Sequence, residues 1–480
     1  MGDFTSAELV DGPPARIAYL CHRPAPMTRT TDVRSNHARV TAMRGHGFEV
    51  NVMKYLFLLL LLAAQPMVAV LAAATLSPAG ASDGASAEST AESPAELTLI
   101  KEEACAVLAA PDEIETTVTP RGPGFVFTTV GGKGQVEIIA RPSFQAWRVA
   151  IVTVFNSAGL PAVEMRLATG CKPIRSRQIT RQPDGRVLSI TDLGPDFVAI
   201  GSAEIQDPPH HFTLKAADRN PNNPRIAIVD TGINYTLPDF QNRIALDIDG
   251  RLIGYDFWDD DEWPFDSDPR RSAFFPLRHG STVFSILNRE ANDSTIAIYR
   301  FPAEEMCRFS DLVKHIAKTP VRVVNLSMGS NDYEDWRCFE SAARELPDLL
   351  FIVSAGNNGR DIDENPVYPA SLGLKNMIVV SSSDAFGRLG QGSNFGKTHV
   401  DLLVPAEEIE VVDHRGARAK TGGTSYAAPR VTALLSRYLA KHPAASTEEM
   451  IAFLRSRAIP GTSQHSRYGW IPDPLDDFGF

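Results

Sequence analysis

Three short stretches of this 480-residue chain place polar side chains where a folded backbone concentrates reactivity. In Ile226-Ala-Ile-Val-Asp-Thr-Gly-Ile233, Asp230 ends a short β-branched run that reads as a buried strand. In Arg278-His279-Gly280-Ser-Thr-Val283, His279 stands at a helix start beside a glycine that allows close approach. In Gly422-Gly-Thr-Ser-Tyr-Ala-Ala-Pro-Arg-Val431, Ser425 falls at the N-terminus of a helix. Backbone N–H groups and the helix dipole favour negative charge at such an end, which suits an oxyanion. Singly, each residue has an ordinary explanation: a turn carboxylate, a structural histidine, an N-cap serine. Together, in the order Asp230, His279, Ser425, they make up a carboxylate-oriented base and a hydroxyl nucleophile.

The elements that must position them follow from the apolar pattern. Ile226–Val229, Ile296–Tyr299, Val321–Asn325, Leu349–Val353, Met377–Val380 and Leu402–Val404 are short β-branched runs separated by helical patterns. Such runs predict a parallel sheet covered on both faces, so residues 220–480 read as a doubly wound α/β domain. Sites in open parallel sheets collect at the carboxyl ends of the strands, where Asp230 lies. Val283, Ile286 and Leu287 predict the buried face of the helix after His279. Val431, Leu434, Leu435, Tyr438 and Leu439 do the same for the helix after Ser425. Residues 97–215 show a different pattern. Runs such as Gly124–Phe127, Val136–Ile139, Trp147–Phe155 and Arg186–Ile190 are broken by glycine, proline and aspartate, with Pro183-Asp-Gly185 as a turn. This predicts a small, mostly β domain with no catalytic constellation of its own.

The combined motifs resemble those of the subtilisin-like serine peptidases, the subtilases, over roughly 225–460. Beyond the three stretches above, Val324-Asn-Leu-Ser-Met-Gly329, Ser354-Ala-Gly-Asn-Asn-Gly359, Tyr368-Pro-Ala370 and Ser393-Asn-Phe-Gly396 carry the likeness. The resemblance implies a serine endopeptidase that works through an acyl-enzyme. Ser425 would attack the scissile carbonyl, His279 would take and return its proton, and Asp230 would orient the imidazole. Asn357 matches the family's oxyanion-hole asparagine, with the Ser425 N–H as second donor. Ser327, Met328, Gly329, Ser354, Ala355 and Gly356 match the strands that line the primary specificity pocket and bind an extended peptide by strand addition. Ser281 and Val404-Pro-Ala406 depart mildly from the family pattern. A non-catalytic peptide-binding protein on the same scaffold is the alternative, and an intact triad argues against it. The region before Ile226 does not match the family's common inhibitory propeptide, so 97–215 is either a removed prodomain or a retained accessory domain.

Composition bounds the rest. Acidic residues outnumber basic ones, 58 to 47, so the chain does not read as a nucleic-acid binder. No C-x-x-C, other zinc spacing or H-E-x-x-H occurs, and no cofactor or metal is assigned. The acid-dense run from Tyr255 to Pro269 fits no EF-hand and is open to three readings: a calcium site, a rim for basic substrates, or a solvated loop. An uncharged run from Tyr55 to Ala81 follows Met53-Lys54 and reads as a signal peptide at 53–81. On that reading 1–52 is an upstream extension from a misplaced start, and the protein is exported, periplasmic or secreted. The alternative is an uncleaved membrane anchor over 55–76. Residues 82–96 read as a flexible linker. Of five cysteines, Cys21 precedes the signal. The other four are expected to pair as Cys105–Cys171 and Cys307–Cys338, which keeps each bridge inside one domain.

Overall fold

The structure is a computed structural model. It describes residues 93–109, 117–121, 124–131, 134–143, 146–201, 203–208, 225–302, 305–460 and 464–477. The signal segment and the upstream extension lie outside the described residues, as do residues 82–92 of the linker. Asp83–Phe480 forms one compact unit.

The N-terminal region opens with helix α1 (Pro94–Ala109). The linker reading therefore ends before Ser93. The Ser93 hydroxyl accepts from Glu96 N, and the Glu96 carboxylate accepts from Ser93 N at 3.0 Å, a reciprocal cap that starts the helix. Eight strands follow as an antiparallel meander: β1 (Thr117–Arg121), β2 (Gly124–Gly131), β3 (Gly134–Ser143), β4 (Ala146–Phe155), β5 (Pro161–Ala168), β6 (Lys172–Arg181), β7 (Val187–Leu193) and β8 (Glu204–Ile205). Leu97, Ala104 and Val107 of α1 pack on Ala150, Val152, Val163 and Met165 of the sheet. The Cys105–Cys171 disulfide ties α1 to the β5–β6 turn. The apolar runs read from sequence fall inside these strands, except that Arg186 lies one residue before β7.

The second sheet runs through β9 (Arg225–Asp230), β10 (Gly254–Asp256), β11 (Thr295–Arg300), β12 (Val321–Leu326), β13 (Leu350–Ser354), β14 (Met377–Ser383), β15 (Leu402–Pro405) and β18 (Gly469–Trp470). Its spatial order is β10-β11-β9-β12-β13-β14-β15-β18, and every pairing is parallel. Strands β16 (Ile409–Val412) and β17 (Arg418–Thr421) form a separate hairpin. Side chains alternate between the two faces, as the period of a strand requires. Ile226, Ile228, Leu350 and Ile352 join one core with helices α2 (Pro238–Gln241), α3 (Gly280–Glu290), α6 (Thr424–Lys441) and α7 (Thr447–Arg457). Ala227, Val229, Phe351 and Val353 join the other with α4 (Phe309–Ile316) and α5 (Arg337–Glu345). The Cys307–Cys338 disulfide spans the second layer. Helices on both faces of a parallel sheet are the architecture read from sequence. The edge strands β10 and β18, three and two residues long, were not legible as runs. After β9 the chain builds β10 and β11 on one side, then crosses to β12 on the other. The carboxyl ends of β9 and β12 are therefore the switch point of the sheet.

Candidate active site

Asp230 is the last residue of β9 and is 1% exposed. Its Oδ1 lies 2.7 Å from His279 Nδ1 and accepts from Thr231 N at 2.8 Å. A carboxylate only accepts, so Nδ1 carries the proton and Nε2 is left as the base. His279 is the residue before α3, with its side chain 20% exposed. Burial alone would lower its pKa. The Asp230 carboxylate, aided by Asp266 and Asp268, holds it above the ordinary histidine value of 6.5.

The backbone around this pair is fixed by residues that sequence reading passed over. Thr231 Oγ1 accepts from Gly280 N at 2.8 Å and His279 N at 3.2 Å, and donates to Asp266 Oδ1 at 2.6 Å. Asp266 Oδ2 accepts from Ser281 N at 2.9 Å, and Ser281 Oγ accepts from Asn234 N at 2.9 Å. Thr231 and Asp266 thus staple the start of α3 to the end of β9. A Cβ on Gly280 would sit 1.9 Å from Gly232 O, so only glycine allows this approach. Thr231 was visible inside Asp-Thr-Gly. Asp266 was hidden within the acidic run.

That run is not a solvated loop. Asp256, Asp266 and Asp268 are buried. Asp256 pairs with Arg300 at 2.9 Å, Asp268 with Arg270 at 2.7 Å and Asp261 with Arg186 at 2.8 Å. Burial pushes the Asp256 carboxyl up to about 6 despite Arg300. These carboxylates anchor arginines and backbone N–H groups of the segment that leads to His279.

Ser425 sits in the first turn of α6, after Gly423 at φ +124°. Pro429, four residues on, has no N–H to give the Ser425 carbonyl. Ser327 Oγ fills that role at 2.9 Å and itself accepts from Asn325 Nδ2 at 3.0 Å. Ser425 Oγ donates to Ser327 O at 3.4 Å. Among the described residues no hydrogen bond joins Ser425 Oγ to the His279 ring. The Tyr426 ring lies beside that ring, with centroids 5.9 Å apart. Asn357 Oδ1 accepts from Thr424 N at 2.9 Å, which leaves Nδ2 as the donor of that amide at the helix start.

The two segments expected to line a pocket differ. Ser354, Ala355 and Gly356 continue β13, and their backbone is largely spent internally. Ala355 N donates to Val380 O, Gly356 N to Thr424 Oγ1 at 3.0 Å, and Asn394 Nδ2 to Ala355 O at 2.8 Å. Gly356 takes φ +96°, and a Cβ there would meet Asn394 Nδ2 at 2.6 Å. Asn394, fully buried and given no role from sequence, holds this turn. Ser327, Met328 and Gly329 continue β12. Among the described residues the backbone groups of Met328 and Gly329 make no hydrogen bond.

The model of the subtilase family matches residues 222–470. The chain belongs to that family. A thermophilic serine proteinase of Bacillus sp. (strain AK1) is 30% identical over 264 residues, covering 51% of this chain and 59% of that protein. Subtilisin-like protease 1 of Plasmodium berghei (strain Anka) is 23% identical over 285 residues, covering 51% and 47%. The chain spans about half the length of these curated relatives. A crystal structure of a cold adapted subtilisin-like serine proteinase matches with a TM-score of 0.41 at 20% identity, covering 53% of this chain and 91% of that one. As a subtilase, the chain carries its family match on the parallel-sheet half, and the β-rich region precedes it.

Proposed function

We propose that this subtilase is an exported serine endopeptidase that hydrolyses peptide bonds through Asp230, His279 and Ser425. The observation that carries the proposal is the 2.7 Å contact of His279 Nδ1 with buried Asp230 at the switch point of the sheet, beside the N-terminus of α6. In this reading His279 Nε2 takes the Ser425 proton as Oγ attacks the carbonyl carbon, and returns it to the leaving amine. Water then repeats the sequence on the acyl-enzyme. Asn357 Nδ2 and Ser425 N stabilise the oxyanion. The substrate backbone adds as a strand along Met328 and Gly329, and Ser354–Gly356 line the pocket beside it. Ser425 Oγ donates to Ser327 O at 3.4 Å, and the reaction requires it to turn from that carbonyl to His279 Nε2.

The second reading, a peptide-binding protein without catalysis, draws on that same contact, since the hydroxyl points to a carbonyl rather than to the base. Incubation with an unfolded protein and mass spectrometry of new N-termini separates the two. Cleavage by the parent, absent in Ser425→Ala, supports the peptidase. Tight capture of the peptide without new termini supports the binder. Export rests on the 53–81 segment, with the 55–76 anchor as its alternative. Among the described residues no helix is long and apolar enough to cross a membrane. N-terminal sequencing of the exported protein tests this, with a start after residue 72 expected and an intact Met1 contradicting it.

A further inference from the structure

Arg278, the residue before His279, carries an unusual burden. Its side chain is 6% exposed, and none of its three guanidinium nitrogens has a hydrogen-bond partner among the described residues. A buried charge in that state needs carboxylates near it. Two act on it: Asp266, within the same segment, and Glu204 of β8, whose Oε1 lies 3.9 Å from Arg278 Nε. Glu204 therefore reaches from the β-rich region to the neighbour of the proposed base. It also accepts from His414 Nε2 at 2.7 Å. The His414 carbonyl in turn accepts from Asn234 Nδ2 at 2.6 Å, on the turn after β9.

The remaining contacts of the β-rich region converge on the same segment. Arg177 Nη1 donates to Phe274 O at 2.7 Å. The guanidinium groups of Arg166, Arg175 and Arg177 lie 4.1, 5.0 and 4.5 Å from the Phe275 ring centroid. Phe274 is buried against Ile179 and Ile190. Arg186 pairs with Asp261 at 2.8 Å. Among the described residues no hydrogen bond or ion pair runs from 93–208 to Ser425, Asn357, Ser327–Gly329 or Ser354–Gly356. The region thus holds the approach to His279 and leaves the nucleophile and the pocket segments alone.

We propose that the β-rich region is a retained brace for the histidine segment, and that Glu204 is a positioning residue that shares the buried Arg278 charge with Asp266. Asp266 already spends Oδ1 on Thr231 and Oδ2 on Ser281 N, the two contacts that fix the start of α3. Without Glu204, Arg278 has Asp266 as its nearest remaining counter-charge, and pulling on Asp266 loosens the Thr231 staple that holds His279 N and Gly280 N. The inference rests on the triad reading for its effect on rate, but the brace itself is readable without catalysis.

The test compares the full chain with Glu204→Gln, Glu204→Asp and the control Asp196→Asn, an exposed carboxylate of the turn between β7 and β8 that accepts from Val198 N. Hydrogen exchange is read on peptides covering 278–284 and 350–356, alongside fluorophosphonate labelling and peptide kinetics. Glu204→Gln is expected to speed exchange at 278–284 alone. It should also slow labelling and kcat about tenfold with KM nearly unchanged, as for a small misplacement of a catalytic group. Glu204→Asp should recover part of both, and Asp196→Asn should change neither. Unchanged exchange at 278–284, or an equal rise at 350–356, overturns the brace whether or not the chain cleaves peptides. Faster exchange at 278–284 in a chain whose parent neither labels nor cleaves keeps the brace and removes the peptidase reading. An intact mass showing that the mature protein lacks 94–208 overturns retention.

Discussion

At the scale of single residues, the proposed chemistry turns on His279. Its ring is held above the ordinary histidine value by Asp230 against the pull of burial, so it must shed a proton before it can act as a base. The kcat/KM of peptide hydrolysis should therefore rise with pH through a half-point above 6.5; a half-point at or below 6.5 would contradict the assignment. Stability follows the opposite course. The His279–Asp230 charge pair contributes fully below the unfolded histidine pKa and is lost as pH climbs through the higher folded value. Asn357 gives a second test. On its proposed role, Asn357→Ala removes one oxyanion donor and should cost about 100- to 1000-fold in kcat with little change in KM, the magnitude of the matching donor of subtilisin. A KM effect alone would make it a binding residue. That Asp230 and His279 meet at the end of β9 was legible in sequence, because each stands in a short run whose neighbours are fixed by the same geometry. Thr231, Asp266, Arg278 and Asn394 could not be given roles, because their partners lie far along the chain and only folding brings them together.

At the scale of elements, two close approaches set the site. The start of α3 meets the turn after β9 through Gly280, whose added Cβ would strike the Gly232 carbonyl at 1.9 Å. Backbone cannot yield as a side-chain tip can. Gly280→Ala should cost about 1–3 kcal/mol or block folding, read as a lower urea midpoint. The other is the start of α6, where Pro429 leaves the Ser425 carbonyl to Ser327 Oγ. Ser327→Ala strips that acceptor of its donor and should cost about 1–3 kcal/mol, with the same readout. A neutral outcome would mean that water replaces the hydroxyl there. The β-branched runs marked the central strands well, since strands buried on both faces leave no room for polar residues. The two short edge strands carry too few residues to show a pattern. The linker was misjudged at its end because Ser93 and Glu96, polar and small-residue flanked, are also the ends of a helix cap.

At the scale of the whole molecule, the described contacts between the N-terminal sheet and the parallel-sheet region are charged groups around one small apolar cluster of Ile179, Ile190 and Phe274. Hydrogen bonding from His414, with help from Arg278 and Arg177, holds Glu204 down to about 2. Its contribution is fully present above the ordinary glutamate value of 4.5 and fades only as pH falls toward 2, so this contact should survive mild acid. Asp256 and Asp401 act in the other sense. Burial raises both to about 6, so their ionisation between about 4 and 6 works against the fold. The Cys105–Cys171 bridge spans 66 residues of the N-terminal region. Replacing both cysteines by alanine should destabilise that region by about 4 kcal/mol through loop entropy, measured by chemical denaturation of the two chains. The two disulfides and the doubly wound sheet were legible in sequence. The docking of one region on the other was not, because arginines and carboxylates look like surface until their partners are placed.

The most direct test of the central claim is covalent. The full chain and its Ser425→Ala variant are treated with a fluorophosphonate, and the adduct is located by intact mass and peptide mapping. One adduct, on Ser425, is expected in the parent and none in the variant. A folded parent that takes no label, or a label that persists in Ser425→Ala, would contradict a serine activated by His279 and Asp230.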